Sequence, residues 1–179
     1  MIENKDAYKA LQYEAIKLAN PQRPVWLMDS VQEWSKVKER ARREGIKVHK
    51  ARLFGFVVQK GSELVGGKPI YKGRIVVQGN DVKDEEGNEA LFNELGASPA
   101  TSESAKLVDA FGLLPGHDIT IDDGCQAYCQ ALLGETIPGP NPGDPVQKVE
   151  TWVVIPEELR PSWWKDHFYD PVVRLVRAL

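Results

Sequence analysis

Apolar residues recur three or four positions apart over residues 6–19, at Ala7, Leu11, Ala15 and Leu18, the period of an amphipathic helix. Asn20-Pro21 ends it, because proline cannot continue a helix and restricts the residue before it. Ser30-Val31-Gln32-Glu33 has the form of a capping box, and Val31, Trp34, Val37 and Ala41 then fall on one face. The spacing predicts a second helix over 31–44, stopped by Gly45. Residues 48–58 and 71–77 are rich in β-branched and aromatic side chains, with Gly61, Gly66, Gly67 and Pro69 between them. That pattern predicts a hairpin with a long loop. Residues 81–95, one lysine against six carboxylates, read as a solvated excursion. Thr101 or Ser102 caps a third helix carrying Leu107, Val108 and Phe111 as its stripe, and Pro115-Gly116 makes a turn. Beyond it, 119–121 reads as a short strand, 125–133 as helix and 134–145 as a proline-rich loop. A strand over 151–155 and a tryptophan-rich helical remainder complete the reading. Helices and strands mixed around an early hairpin predict an α+β fold.

At 179 residues, 42% hydrophobic and 27% charged, the chain is long and apolar enough for one real core. A net charge of −3 excludes a uniformly basic nucleic-acid coat. It leaves room for a local basic groove: residues 36–52 hold eight Lys or Arg against two Glu. On an amphipathic helix such a run is also what a solvated face looks like. Two cysteines make no disulfide framework, and no run approaches the 18 or so apolar residues of a membrane span. The first residues have no signal-peptide core, so the chain reads as intracellular, not secreted and without a membrane.

The sharpest candidate for chemistry runs from Ile119 to Tyr128. A short apolar strand leads into Asp122-Asp123, and a helical pattern leaves with an aromatic five residues after Asp123. Carboxylates at a strand end suit a divalent cation that also takes substrate phosphates. Asp is equally at home there as the cap of the following helix, and spacing does not decide between the two. Lys72 and Arg74 stand two apart on one strand face and suit a phosphate clamp. Cys125 and Cys129 lack partners for a metal set, and His49, His117 and His167 are dispersed with no nucleophile motif beside them. Trp163-Trp164 fits packing better than base stacking. Neither a phosphate-binding loop nor a dinucleotide fingerprint is present.

Taken in order, several segments resemble the reverse transcriptases of copia-type retrotransposons. The run from Tyr71 to Gly79 is similar to their Tyr-Lys-Ala-Arg-Leu-Val-x-x-Gly block, and 97–101 resembles an Ala-Pro-Val-Ala segment that precedes a helix. Asp123 to Tyr128, followed by Leu132-Leu133-Gly134, resembles Asp-Val-Lys-Thr-Ala-Phe-Leu-Asn-Gly, the first catalytic motif. Residues 151–156 and 171–179 resemble the next strand and the start of the following block. The likeness is collinear over about 47–179 and weaker over 1–46.

The apolar spacing leaves 1–46 as a helical N-terminal segment, and the resemblance implies that 47–179 is a partial reverse transcriptase domain, comprising the fingers hairpin and first part of the palm of a right-hand polymerase. It implies RNA-directed DNA polymerase activity through two Mg²⁺ (or Mn²⁺) ions. Asp123 would be a metal ligand with the Gly124 carbonyl beside it, and Tyr128 would lie under the sugar and select deoxynucleotides. Lys72 and Arg74 would meet the incoming triphosphate. The partners implied are an RNA template with its DNA primer, deoxynucleoside triphosphates and the remainder of a polyprotein. Gly124 and Cys125 replace larger residues of the motif, the loop around 141–144 is an insertion, and no Tyr-x-Asp-Asp follows. The apolar run 172–179 therefore reads as an element cut before its partner, and the fragment alone is expected not to polymerise. Two other readings stand beside this one: a non-catalytic nucleic-acid- or protein-binding remnant, and an unrelated α+β domain in which Asp122-Asp123 only caps a helix.

Overall fold

The computed structural model describes residues 4–61, 69–90, 101–120, 127–133, 136–137 and 147–179. It divides into two units, residues 1–90 with 128–179, and residues 91–127.

The larger unit is a mixed α and β structure built on one sheet. Its strands are β1 (Trp26–Glu33), β2 (Lys47–Lys60), β3 (Ile70–Val77), β4 (Thr136–Ile137), β5 (Gln147–Val154) and β6 (Pro171–Leu175). Their order is β1-β6-β5-β2-β3, with the short β4 paired to β5 off that path. The central pair β2–β5 is parallel, and the other pairs are antiparallel. Helix α1 (Lys5–Leu18) is capped by the Asn4 side chain, which accepts from the Asp6 and Ala7 amides. Helix α2 (Trp34–Glu44) ends at Gly45 in the left-handed conformation, φ 64°, as the sequence predicts.

Both faces of the sheet are covered in part, because side chains alternate along each strand. Val153, Ile155, Val173 and Leu175 join Leu11 and Leu18 of α1, with Ala51, Leu53, Ile75, Trp26 and Trp164, in the larger core cluster. Their neighbours Trp152 and Val172 point the other way and pack with Val48 against Trp34, Val37 and Ala41 of α2. At about 25 cal/mol per Å² of apolar surface, these two buried clusters are the main source of stability.

The N-terminal segment carries a strand between its helices, and the capping box proves to be strand. Ser30 is drawn into a bulge where β1 shifts register against β6. Its hydroxyl donates to the Leu27 carbonyl and accepts the Arg174 amide, so it caps nothing. Glu33 accepts the amides of Tyr169 and Asp170, and α2 begins only at Trp34. The tryptophan-rich remainder is likewise not one helix. It holds the short α4 (Trp164–His167) and then β6, whose Val172-Val173 pair favours strand. Over 127–133 the only helical feature is a single 3₁₀ turn, Tyr128–Gln130. Beyond it Leu133 and Ala131 bond to Val176 and Ala178 near the chain end. Residues 119–120 are not in a strand, and Ile121 lies outside the described residues.

In the smaller unit, α3 (Ser102–Gly112) starts where expected, with the Thr101 hydroxyl accepting the Ser104 amide. Phe111 there packs edge-on against His117, ring centroids 4.4 Å apart.

Candidate nucleic-acid interface

The hairpin β2–β3 pairs Leu53 with Val77 through to Lys60 with Ile70. Strand β5 leaves β2 at Arg52, so from Leu53 onward the hairpin projects as a two-stranded arm. One face of this arm belongs to α1. Gly55 lies against Leu11, and at Gly73 the α1 backbone comes so close that a Cβ would stand 2.4 Å from the Ala10 carbonyl oxygen. The Asn4 side chain donates to the Tyr71 hydroxyl at 2.9 Å and ties the start of α1 to the same strand.

The opposite face of the arm is open. Along β2 it presents Phe54, Phe56, Val58 and Lys60, continuing from Arg52; along β3 it presents Lys72, Arg74 and Val76. Phe54 is 56% exposed, Val58 46% and Phe56 37%, large values for apolar side chains in a sheet. The two phenyl rings lie 6.0 Å apart and 25° from parallel. In register, Phe56 faces Arg74 and Val58 faces Lys72. Arg52, Lys60, Lys72 and Arg74 thus surround two offered rings, and no carboxylate stands on that face of the two strands. Rings to stack on and cations for phosphates are what a single nucleic-acid strand requires.

The pair singled out from the sequence is therefore together in space. Arg74 has a partner the sequence did not reveal: its Nη1 is 4.0 Å from the mostly buried Glu14 carboxylate of α1, across the edge strand β3. Lys72 also borders an open groove of about 660 Å³ between α1 and β3, with Tyr13, Tyr71, Lys9 and Lys17. Asp123 and Gly124 lie outside the described residues, as does Asp122. The backbone of Tyr128 opens the 3₁₀ turn; its side chain is not among those described. Among the described residues, no three His, Cys, Asp or Glu side chains are grouped to hold a metal ion. Nor is any described helix long and apolar enough to cross a membrane.

The basic run of α2 divides. Arg40 turns inward to the buried Glu150 carboxylate of β5, which Arg174 also approaches at 3.4 Å and to which the Trp152 indole donates. The Glu150 hydrogen bond holds the Arg40 guanidinium above its ordinary pKa, against the opposing effect of burial. This cluster fastens α2 to the sheet. Lys50 is likewise engaged, 2.5 Å from Asp170 and over the Trp34 ring.

What sequence reasoning missed is the aromatic pair. The signal was the alternation Arg52, Phe54, Phe56, Val58, Lys60, but the intervening Ala51, Leu53, Gly55 and Val57 are apolar or small too. Which face stays open depends on where α1 docks. Compared with known proteins, the chain matches no family model, no curated protein and no solved structure.

Proposed function

We propose that this chain supplies the fingers and first part of the palm of a copia-type RNA-directed DNA polymerase, and that its hairpin arm holds a nucleic-acid strand. What supports the reading is one observation: Lys72 and Arg74, the basic pair of the resembling block, share an open sheet face with the offered rings of Phe54 and Phe56. The cations neutralise phosphates while the rings stack on bases without regard to sequence. In this reading Asp123 and the Gly124 carbonyl hold Mg²⁺ (or Mn²⁺), which when bound supplies charge stabilisation for phosphoryl transfer. Tyr128 lies under the deoxyribose. A narrower second reading rests on the described face alone: a non-catalytic module that holds nucleic acid.

Binding of a labelled oligouridylate of about 12 nucleotides to the full chain tests the interface common to both readings. Lys72→Gln with Arg74→Gln is expected to weaken binding and flatten the log–log salt dependence by about 1.4, the slope of two single-strand phosphate contacts. Phe54→Ala is expected to weaken it at least about fivefold, the low end for one stacked base. Unchanged affinity in both variants would remove the interface.

A further inference from the structure

Where β5 ends beside Arg52, the segment after β3 folds back over β2. Lys50 and Lys83 exchange backbone hydrogen bonds of 2.7 and 2.9 Å, which fixes Lys83 beside β2. The result is an open cleft of about 170 Å³ lined by Lys50, Ala51, Arg52, Asp81, Lys83 and Val154. Its charges are unevenly matched. Lys50 is satisfied by Asp170 at 2.5 Å, while Lys83 is only 3.9 Å from Asp81, with both side chains substantially exposed. Arg52 makes no ion pair among the described residues. A guanidinium fork without a carboxylate beside a weakly held ammonium is the donor set for a tetrahedral oxyanion.

We propose that this cleft is a phosphate subsite, with Arg52 and Lys83 as its ligands. Its volume is below the roughly 300 Å³ at which small-molecule pockets begin, so it takes one phosphate group of a larger molecule rather than a whole nucleotide. The inference rests on the strand-holding reading of the arm, which identifies that molecule. Arg52 precedes Phe54 on the same face by two residues, about 6.8 Å of strand. A backbone phosphate in the cleft leaves the adjoining base at the Phe54 ring. The site lies on the opposite side of those rings from Lys60 and extends the track toward the centre of the sheet.

The test uses the full chain and the same labelled oligouridylate. Arg52→Gln with Lys83→Gln is expected to weaken binding about three- to tenfold and lower the salt slope by about 0.7, one phosphate contact. Arg52→Lys, which keeps the charge but not the fork, should recover part of the loss and guards against a folding defect in the double variant. If the double variant binds as the parent does while Lys72→Gln with Arg74→Gln weakens binding, the subsite is wrong and the interface stands. If neither pair matters, the interface has failed and the subsite falls with it. Inorganic phosphate at about 10 mM, at constant ionic strength, is expected to leave strand binding unchanged. Displacement of the strand from the parent but not from the double variant would reassign the cleft to free phosphate and overturn the strand assignment.

Discussion

Glu150 is the one charged side chain buried among the described residues, 1% exposed, and it sits between Arg40 of α2 and Arg174 of β6. Burial alone would raise its carboxyl pKa; the Arg40 hydrogen bond and the two guanidinium charges overcome that and hold it below its ordinary value. A carboxyl depressed on folding stabilises the protein above its unfolded pKa, and the contribution is lost as pH falls through the folded value. Glu150→Ala is therefore expected to cost about 3 kcal/mol at neutral pH, because two guanidinium groups lose their shared counter-charge. In urea that is a midpoint lowered by about 1.5 M for a slope near 2 kcal/mol/M. The gap between parent and variant should close as pH drops below about 4. A gap independent of pH would mean that packing, not charge, is what the carboxylate contributes. Glu14 of α1 is a similar detail, reached across the edge strand from the open face, a carboxylate that no motif pointed to and that competes with phosphate for Arg74.

At the scale of elements, the decisive contact is α1 lying on the hairpin arm. Gly73 permits it, since a methyl group there would meet the Ala10 carbonyl at 2.4 Å and the Leu11 Cα at 2.8 Å. The block that 71–79 resembles has alanine at this position, so the departure to glycine coincides with a helix seated directly on the strand. Gly73→Ala is expected to destabilise the fold by about 1–3 kcal/mol, the usual range for overpacking, with the loss centred on α1. Hydrogen exchange should show α1 amides losing protection before those of β5; equal protection in parent and variant would refute the close contact. The hairpin was legible because two β-rich runs flank a glycine-rich break, and α1 because its apolar period is clean. Strand β1 was not, because Ser30 and Glu33 satisfy a local helix-start rule while amides about 140 residues away, Arg174 of β6 and Tyr169 and Asp170 just before it, take both side chains instead. Strand β6 was hidden by its brevity. Lys72 and Arg74 could be placed on one face from spacing alone. The openness of Phe54 and Phe56 could not, because it is a property of what α1 covers.

At the scale of the whole molecule, the proposed polymerase needs a Tyr-x-Asp-Asp strand beside Asp123 to hold two metal ions. A chain continued through a Tyr-x-Asp-Asp strand is expected to incorporate deoxynucleotides with Mg²⁺, and Asp123→Asn should abolish incorporation. Tyr128→Ala in that longer chain should relax discrimination against ribonucleotides. Incorporation that survives Asp123→Asn would displace that residue from the metal site. The two middle strands of the sheet, β2 and β5, run parallel, yet their paired residues Lys47 and Val149 are about a hundred positions apart. The smaller unit lies wholly within that span. The arm can therefore zip up from local pairing alone, while the sheet's middle must wait for a long loop to close. During synthesis the rings of Phe54 and Phe56 emerge on a hairpin that has β3 but not yet β5. What waits for β5 is the 47–52 edge of β2. The rings lie beyond its reach, open in the finished fold as well, and the positive charge around them is what keeps that sticky surface in solution throughout.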